Sequence, residues 1–252
     1  MRPAGLVVDG VSVRYGSIRA VQGASLELPA GIVALVGSNG AGKSSLVKAI
    51  AGLERTVEGS VRTRDGRDLT HMPAHRRVRD LGIVLVPEGR GVLPSMTVAE
   101  NLEFGLRIGA LRAARERRSE EGLTRAGLFE LFPQLQDRYR VQARYLSGGE
   151  QQMLSIARAL AMAPKFLLVD EPSLGLSPAI VASLFNTIKR VVVEREIALL
   201  LIEQDTRAAL SLSDYAYVME RGRIELEGPS REIADGPLLR AAYLGAHEVI
   251  AR

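Results

Sequence analysis

The sequence predicts an α/β fold built on a mainly parallel sheet, and three observations carry that expectation. Four short apolar runs, at residues 32–36, 82–86, 166–169 and 197–202, have no polar alternation. Such runs read as strands buried on both faces, the habit of parallel sheets. Stretches with helical periodicity separate them, as the crossover connections of a parallel sheet require. The first 28 residues differ, interleaving Val, Ile and Leu with polar residues in the manner of half-exposed antiparallel strands.

In order, residues 6–15 and 18–28 are the two β-rich stretches that open the chain, an antiparallel N-terminal subdomain. Residues 32–36 form a strand bounded by Gly31 and Gly37, and a helix is expected over 43–51. After the strand at 82–86, residues 97–138 are helical and arginine-rich with no run fit for a buried strand. That shift in composition marks an inserted helical subdomain. A helix over 177–195 separates the strands at 166–169 and 197–202, and residues 215–226 make two short strands turning at Arg221-Gly222. The length of 252 residues suits one domain spanning 1–252. Its core is expected over 1–90 and 163–252, and its helical subdomain over 91–162.

Composition narrows the function. The chain has no cysteine, which excludes a disulfide scaffold, thiolate–metal sites and thiol catalysis. Its net charge of +4 comes mostly from arginine, lysine occurring only at Lys43, Lys48, Lys165 and Lys189. These cations are scattered and aromatics are 4%, so no nucleic-acid partner is expected. No apolar run approaches the ~20 residues of a membrane-spanning helix. The first ten residues lack the pattern of a signal peptide. A soluble protein is expected, with membrane contact made through partners.

The run Gly37-Ser38-Asn39-Gly40-Ala41-Gly42-Lys43-Ser44 satisfies GxxxxGK[ST] between a buried strand and a helix start. Glycines let the backbone wrap phosphate oxygens, the amides point inward as an anion nest, and the helix N-terminus adds partial positive charge. Lys43 can reach the β- and γ-phosphates of ATP, the Ser44 hydroxyl can ligate Mg²⁺, and Ser45 can touch the α-phosphate. This loop alone marks a P-loop NTPase core. A second feature matches it: the strand at 166–169 ends in Asp170-Glu171. Asp170 would hold Mg²⁺ through water, and Glu171 would orient the attacking water as the catalytic carboxylate.

Leu146-Ser147-Gly148-Gly149-Glu150-Gln151 discriminates among P-loop proteins. Ser147 and Glu150 have capping-box spacing, and Met153, Ile156, Ala157 and Leu160 form an apolar stripe on the following helix. Its bare, glycine-rich start is a second anion receptor. The segment resembles the signature sequence of ATP-binding cassette proteins, and the resemblance extends over essentially the whole chain. It implies that Ser147, Gly148, Gly149 and Glu150 close over ATP held by a partner's phosphate loop. Tyr15, in Arg14-Tyr15-Gly16, matches the aromatic that stacks on adenine. The stretch 172–177 matches the loop that meets its counterpart across the dimer, without the usual aspartate.

Two positions depart from the family pattern. Glu88 stands where a glutamine is usual, and Gln204 where a catalytic histidine is usual. The resemblance implies that Glu88 puts a second carboxylate near Mg²⁺, to ligate the metal or to repel the γ-phosphate. His71, His75 and His247 lie in the wrong regions to substitute and read as solvated. These departures, with VPEGR at 86–90, MTVAENL at 96–102 and AAYLG at 241–245, resemble the second ATPase subunit of bacterial branched-chain amino acid importers. The resemblance implies an ATPase with ATP and Mg²⁺ as its cofactors, on the cytoplasmic face of the inner membrane. Its implied partners are a sister ATPase in a heterodimer (or a second copy in a homodimer), two transmembrane permease subunits and, indirectly, a periplasmic binding protein. Importers of urea, amides or aromatic acids, and a regulatory cassette that does not transport, are the alternatives. Because glutamine cannot become a cation, the site on this chain's own loop is expected to be the slower of two. The arginines at 112, 115, 117 and 118 read as a solvated helix face or a docking surface for a membrane subunit.

Overall fold

A computed structural model describes residues 5–89, 91–116 and 123–236. The chain opens with antiparallel strands β1 (Leu6–Tyr15) and β2 (Ile18–Leu28), then β3 (Gly31–Val36), the phosphate loop and helix α1 (Lys43–Ala51). β4 (Glu58–Thr63), the short α2 (Ala74–Arg76) with a π-helical turn over Arg77–Leu81, and β5 (Ile83–Val86) follow. The helical region holds α3 (Val98–Glu116), α4 (Arg125–Leu131), α5 (Gln134–Asp137) and α6 (Gly148–Ala161). Alternation then returns with β6 (Phe166–Asp170), α7 (Pro178–Glu194), β7 (Ala198–Glu203), α8 (Thr206–Leu212), β8 (Tyr215–Glu220), β9 (Arg223–Pro229) and α9 (Ser230–Asp235).

The strands form two sheets. One is antiparallel, ordered β2-β1-β4; the other runs β5-β6-β7-β3-β8-β9, with only β9 antiparallel to its neighbour. The missing polar alternation in the parallel strands has a direct cause. Along β3, Ile32, Ala34 and Val36 enter one core while Val33 and Leu35 enter the other. The first core is closed by α3, α6, α7 and α8, whose Leu102, Ile156, Ile188 and Ala209 are fully buried. The second face is covered by helix α1 and by the antiparallel sheet, whose Leu6, Val8, Leu26 and Leu28 share one core with Leu46 and Ile50.

β4 was not anticipated, because EGSVRT offers Val61 as its one large apolar residue. It earns its place by pairing with β1 from Leu6↔Thr63 to Ser12↔Glu58. The arginine run needs correction at Arg112. This side chain is 3% exposed, and its guanidinium donates to the carbonyls of Met162 and Ala163, just past the C-terminus of α6. Its aliphatic stem suits burial while the head serves carbonyls that the helix end leaves unpaired. Arg115 does face solvent, 3.9 Å from Asp80, while residues 117 and 118 lie outside the described residues. His71 and His75 are exposed as expected; Arg90, His247 and the 241–245 segment fall outside the described residues.

Candidate functional site

β6, β7 and β3 are neighbours, all parallel, so their C-terminal ends open on one edge of the sheet. That edge is where open α/β sheets take ligands. Asp170 and Glu171 leave β6, Gln204 leaves β7 and the phosphate loop leaves β3. Together they shape a cavity of about 640 Å³, lined by residues 39–45 with Glu88, Glu171 and Gln204.

Close approach dictates glycine in the loop. A Cβ on Gly37 would stand 2.1 Å from the Met219 carbonyl oxygen, and one on Gly42 would stand 2.3 Å from that of Ala20. Gly42, at φ 103, has no side chain with which to cap α1. The first amides of α1 are therefore left for an anion. Gly222, at the turn between β8 and β9, braces the loop by donating its N–H to the Ala41 carbonyl at 2.8 Å.

Lys43 is 4% exposed, and its Nζ donates to the carbonyls of Gly37 at 2.8 Å and Ser38 at 3.1 Å. It also lies 3.8 Å from Glu171 Oε1. Burial pulls its pKa down, while Glu171, Asp170, Glu203 and Glu88 oppose that shift. Asp170 is 3% exposed and hydrogen-bonded by Ser44, yet its Oδ1 is buried without a partner. Burial pushes the Asp170 carboxyl up from the ordinary carboxylate range, helped by Glu171 and Glu88. An orphaned buried carboxylate oxygen beside a hydroxyl fits a hard cation such as Mg²⁺, which binds through one or two carboxylates and substrate phosphates. No group of three or more acidic or histidine side chains around one point occurs among the described residues. Glu88 is exposed on the wall of the same cavity.

Glu171 is buried, and its backbone is left-handed at φ 48. Its Oε2 accepts from Gln204 Nε2 at 2.7 Å. Gln204 thus reaches the Glu171 carboxylate itself, a contact that the sequence left undetermined. Tyr15, 41% exposed at the end of β1, lies outside the cavity lining, where Ile18 and Arg19 form the nearest wall of β2.

The second anion receptor sits elsewhere. Ser147 caps α6 by accepting from Glu150 N at 3.3 Å, and Glu150 Oε2 accepts from Ser147 N at 2.7 Å. The capping box is complete, and Met153, Ile156, Ala157 and Leu160 are all buried beneath it. No residue from 147–150 lines the cavity at the phosphate loop, so the starts of α1 and α6 are two separate places on the chain. Sequence reasoning missed Glu203, which is 1% exposed at the end of β7. The available signal was a charged residue closing an otherwise apolar strand.

A family model described as ABC transporter matches residues 21–174. The high-affinity branched-chain amino acid transport ATP-binding protein BraG of Pseudomonas aeruginosa is 41% identical over 95% of this chain and 99% of its own length. The sulfate/thiosulfate import ATP-binding protein CysA of Bordetella pertussis is 36% identical over 94% of this chain, which spans 65% of that protein. Among solved structures, the ADP conformation of MJ1267, an ATP-binding cassette of an ABC transporter, superposes with a TM-score of 0.77 at 27% identity. That match covers 96% of this chain and 99% of the other.

Proposed function

The chain belongs to the ABC transporter family as one of its ATP-hydrolysing cassettes, and from that premise we propose that it energises an importer of branched-chain or other hydrophobic amino acids. One observation carries the ATPase reading. Glu171 is fixed by Gln204 and lies 3.8 Å from Lys43, beside a glycine-built phosphate cradle. The likeness to BraG, over nearly the full length of both chains, supports the amino acid class.

In this reading the phosphate loop takes the triphosphate of ATP on the bare amides of α1. Lys43 turns from the Gly37 and Ser38 carbonyls to the phosphate oxygens. Ser44 and Asp170 would hold Mg²⁺, which when bound neutralises charge on the phosphates. Glu171 orients a water in line with the terminal phosphate and draws on its proton, and Gln204 keeps that carboxylate aimed. The start of α6 covers ATP on a second cassette, a sister ATPase or another copy, so ATP joins two chains and its hydrolysis frees them. Because Gln204 is neutral and gives the terminal phosphate no charge-assisted hydrogen bond, this chain's own loop forms the slower of the two sites in a pair with a sister. No helix among the described residues is long and apolar enough to cross a membrane. Two permease subunits would hold the chain at the cytoplasmic face of the inner membrane, fed by a periplasmic binding protein.

The likeness to the sulfate/thiosulfate relative favours a second reading, an importer of inorganic anions. Uptake by cells carrying a deletion of this chain separates the two. Labelled leucine, isoleucine and valine are expected to lose high-affinity uptake, restored by the parent chain and not by Lys43→Ala, with sulfate uptake unchanged. Loss of sulfate uptake alone would exclude the amino acid reading.

A further inference from the structure

The backbone of Glu171 is held where two local preferences oppose it. A non-glycine residue at φ 48 lies in the left-handed region, where its Cβ crowds the neighbouring carbonyl oxygen. Glu171 also precedes Pro172, and the residue before proline is normally driven to extended backbone. Such a conformation persists only where neighbouring structure over-determines it. Two clamps lie on either side of this residue. Glu171 N–H donates to the Ile202 carbonyl at 2.9 Å. Two residues further on, Ser173 donates twice to one carboxylate, N–H to Glu203 Oε1 at 2.9 Å and Oγ–H to Glu203 Oε2 at 2.8 Å.

Glu203 has no part in the chemistry described above, yet it is 1% exposed. Burying a carboxylate is costly unless its oxygens are matched, and an apolar residue would have served packing alone. Both oxygens here are matched by a single residue of the segment that begins at Glu171. That segment continues to Leu174, 54% exposed, so the clamp also joins the catalytic carboxylate to a surface loop.

We propose that Glu203 is a positioning residue for the hydrolytic step, acting through Ser173 to lock the 171–173 turn so that the Glu171 carboxylate stays between Gln204 and Lys43. The proposal rests on the ATPase reading. Its charge matters, because hydrogen bonds to an ionised acceptor are about twice as strong as neutral ones. A glutamine at 203 keeps the shape but offers one acceptor oxygen, and turns an amide toward a second donor.

The test uses the full chain with MgATP, comparing Glu203→Gln, Ser173→Ala, their combination and Ser173→Thr. Glu203→Gln and Ser173→Ala are each expected to lower kcat about 10- to 100-fold with KM for ATP within about twofold of the parent, since displaced transition-state contacts act on kcat. The combined variant is expected to be no slower than the worse single one, and Ser173→Thr, which keeps the hydroxyl, to restore most turnover. Ser173→Ala takes a donor from a buried carboxylate and is expected to melt somewhat lower, while Ser173→Thr stays near the parent; the mark of positioning is that KM holds while kcat falls. An active parent with an equally active Ser173→Ala or Glu203→Gln overturns the positioning role alone. So does a variant in which kcat and melting temperature fall while KM rises, the mark of general loosening. A parent that releases no phosphate overturns the ATPase reading, and the positioning role with it.

Discussion

Arg77 heads the largest fully buried side chains, and its surroundings explain why an arginine occupies a core position. Its guanidinium donates to the carbonyls of Ala49 and Ile50 at the end of α1, to those of Leu69 and Thr70, and through Nε to Met72 at 2.8 Å. Burial lowers its pKa to about 10, so it remains charged at neutral pH. α1 leaves its last carbonyls unpaired within the helix. Arg77 answers them at one end while the opposite end faces phosphate. The carbonyls of Ala49 and Leu69 also accept from Gly52 and Met72 N–H. Replacing Arg77 with leucine takes the donor from the carbonyls of Ile50, Thr70 and Met72 at about 1–3 kcal/mol each, so Arg77→Leu is expected to cost at least ~3 kcal/mol. Urea unfolding measures this; a loss below about 1 kcal/mol would mean that those carbonyls find other partners. Little in the local sequence marks the role, because the acceptors come from residues 5 to 28 positions away. Glu203 was hidden for the same reason, its partner Ser173 lying 30 residues earlier.

At the scale of elements, α6 joins stability to a functional surface. The Ser147–Glu150 capping box was legible because it is written in four consecutive residues, and the apolar stripe below it in helical spacing. Arg138 Nε adds a contact to Glu150 Oε1 at 3.1 Å, which the sequence did not disclose. Ser147→Ala removes the cap and is expected to cost about 1 kcal/mol of stability. The cap lies away from the cavity, so ATP affinity at the chain's own loop is expected to be unchanged. Turnover is nevertheless expected to fall, on the proposal that this helix start covers ATP held by a second cassette. Nucleotide titration beside phosphate release checks the separation; unchanged turnover would make the segment a cap only. Elements without such local grammar escaped notice. β4 has one large apolar residue, and α8 and α9 are each under eight residues, too short for periodicity to declare itself.

Across the whole molecule, the parallel sheet was legible because both of its faces are buried, which leaves runs such as Phe166–Asp170 almost wholly apolar. What covers each face was not, since α1 and the antiparallel sheet share one side through contacts between distant segments. Of the candidate site, the phosphate loop and Asp170-Glu171 came from motifs. The contact of Gln204 with Glu171, and the second carboxylate behind it, required the fold. That arrangement makes the central claim: a chain that binds ATP on one edge of its sheet and hydrolyses it through Glu171. The most direct measurement is phosphate release and retained ATP in Glu171→Gln, against the parent, with light scattering in MgATP. A positioned general base contributes about 10²- to 10⁴-fold, so release is expected to slow by that factor while ATP stays bound and paired chains accumulate. Phosphate released at the parent's rate, with no gain in paired chains, would contradict the account.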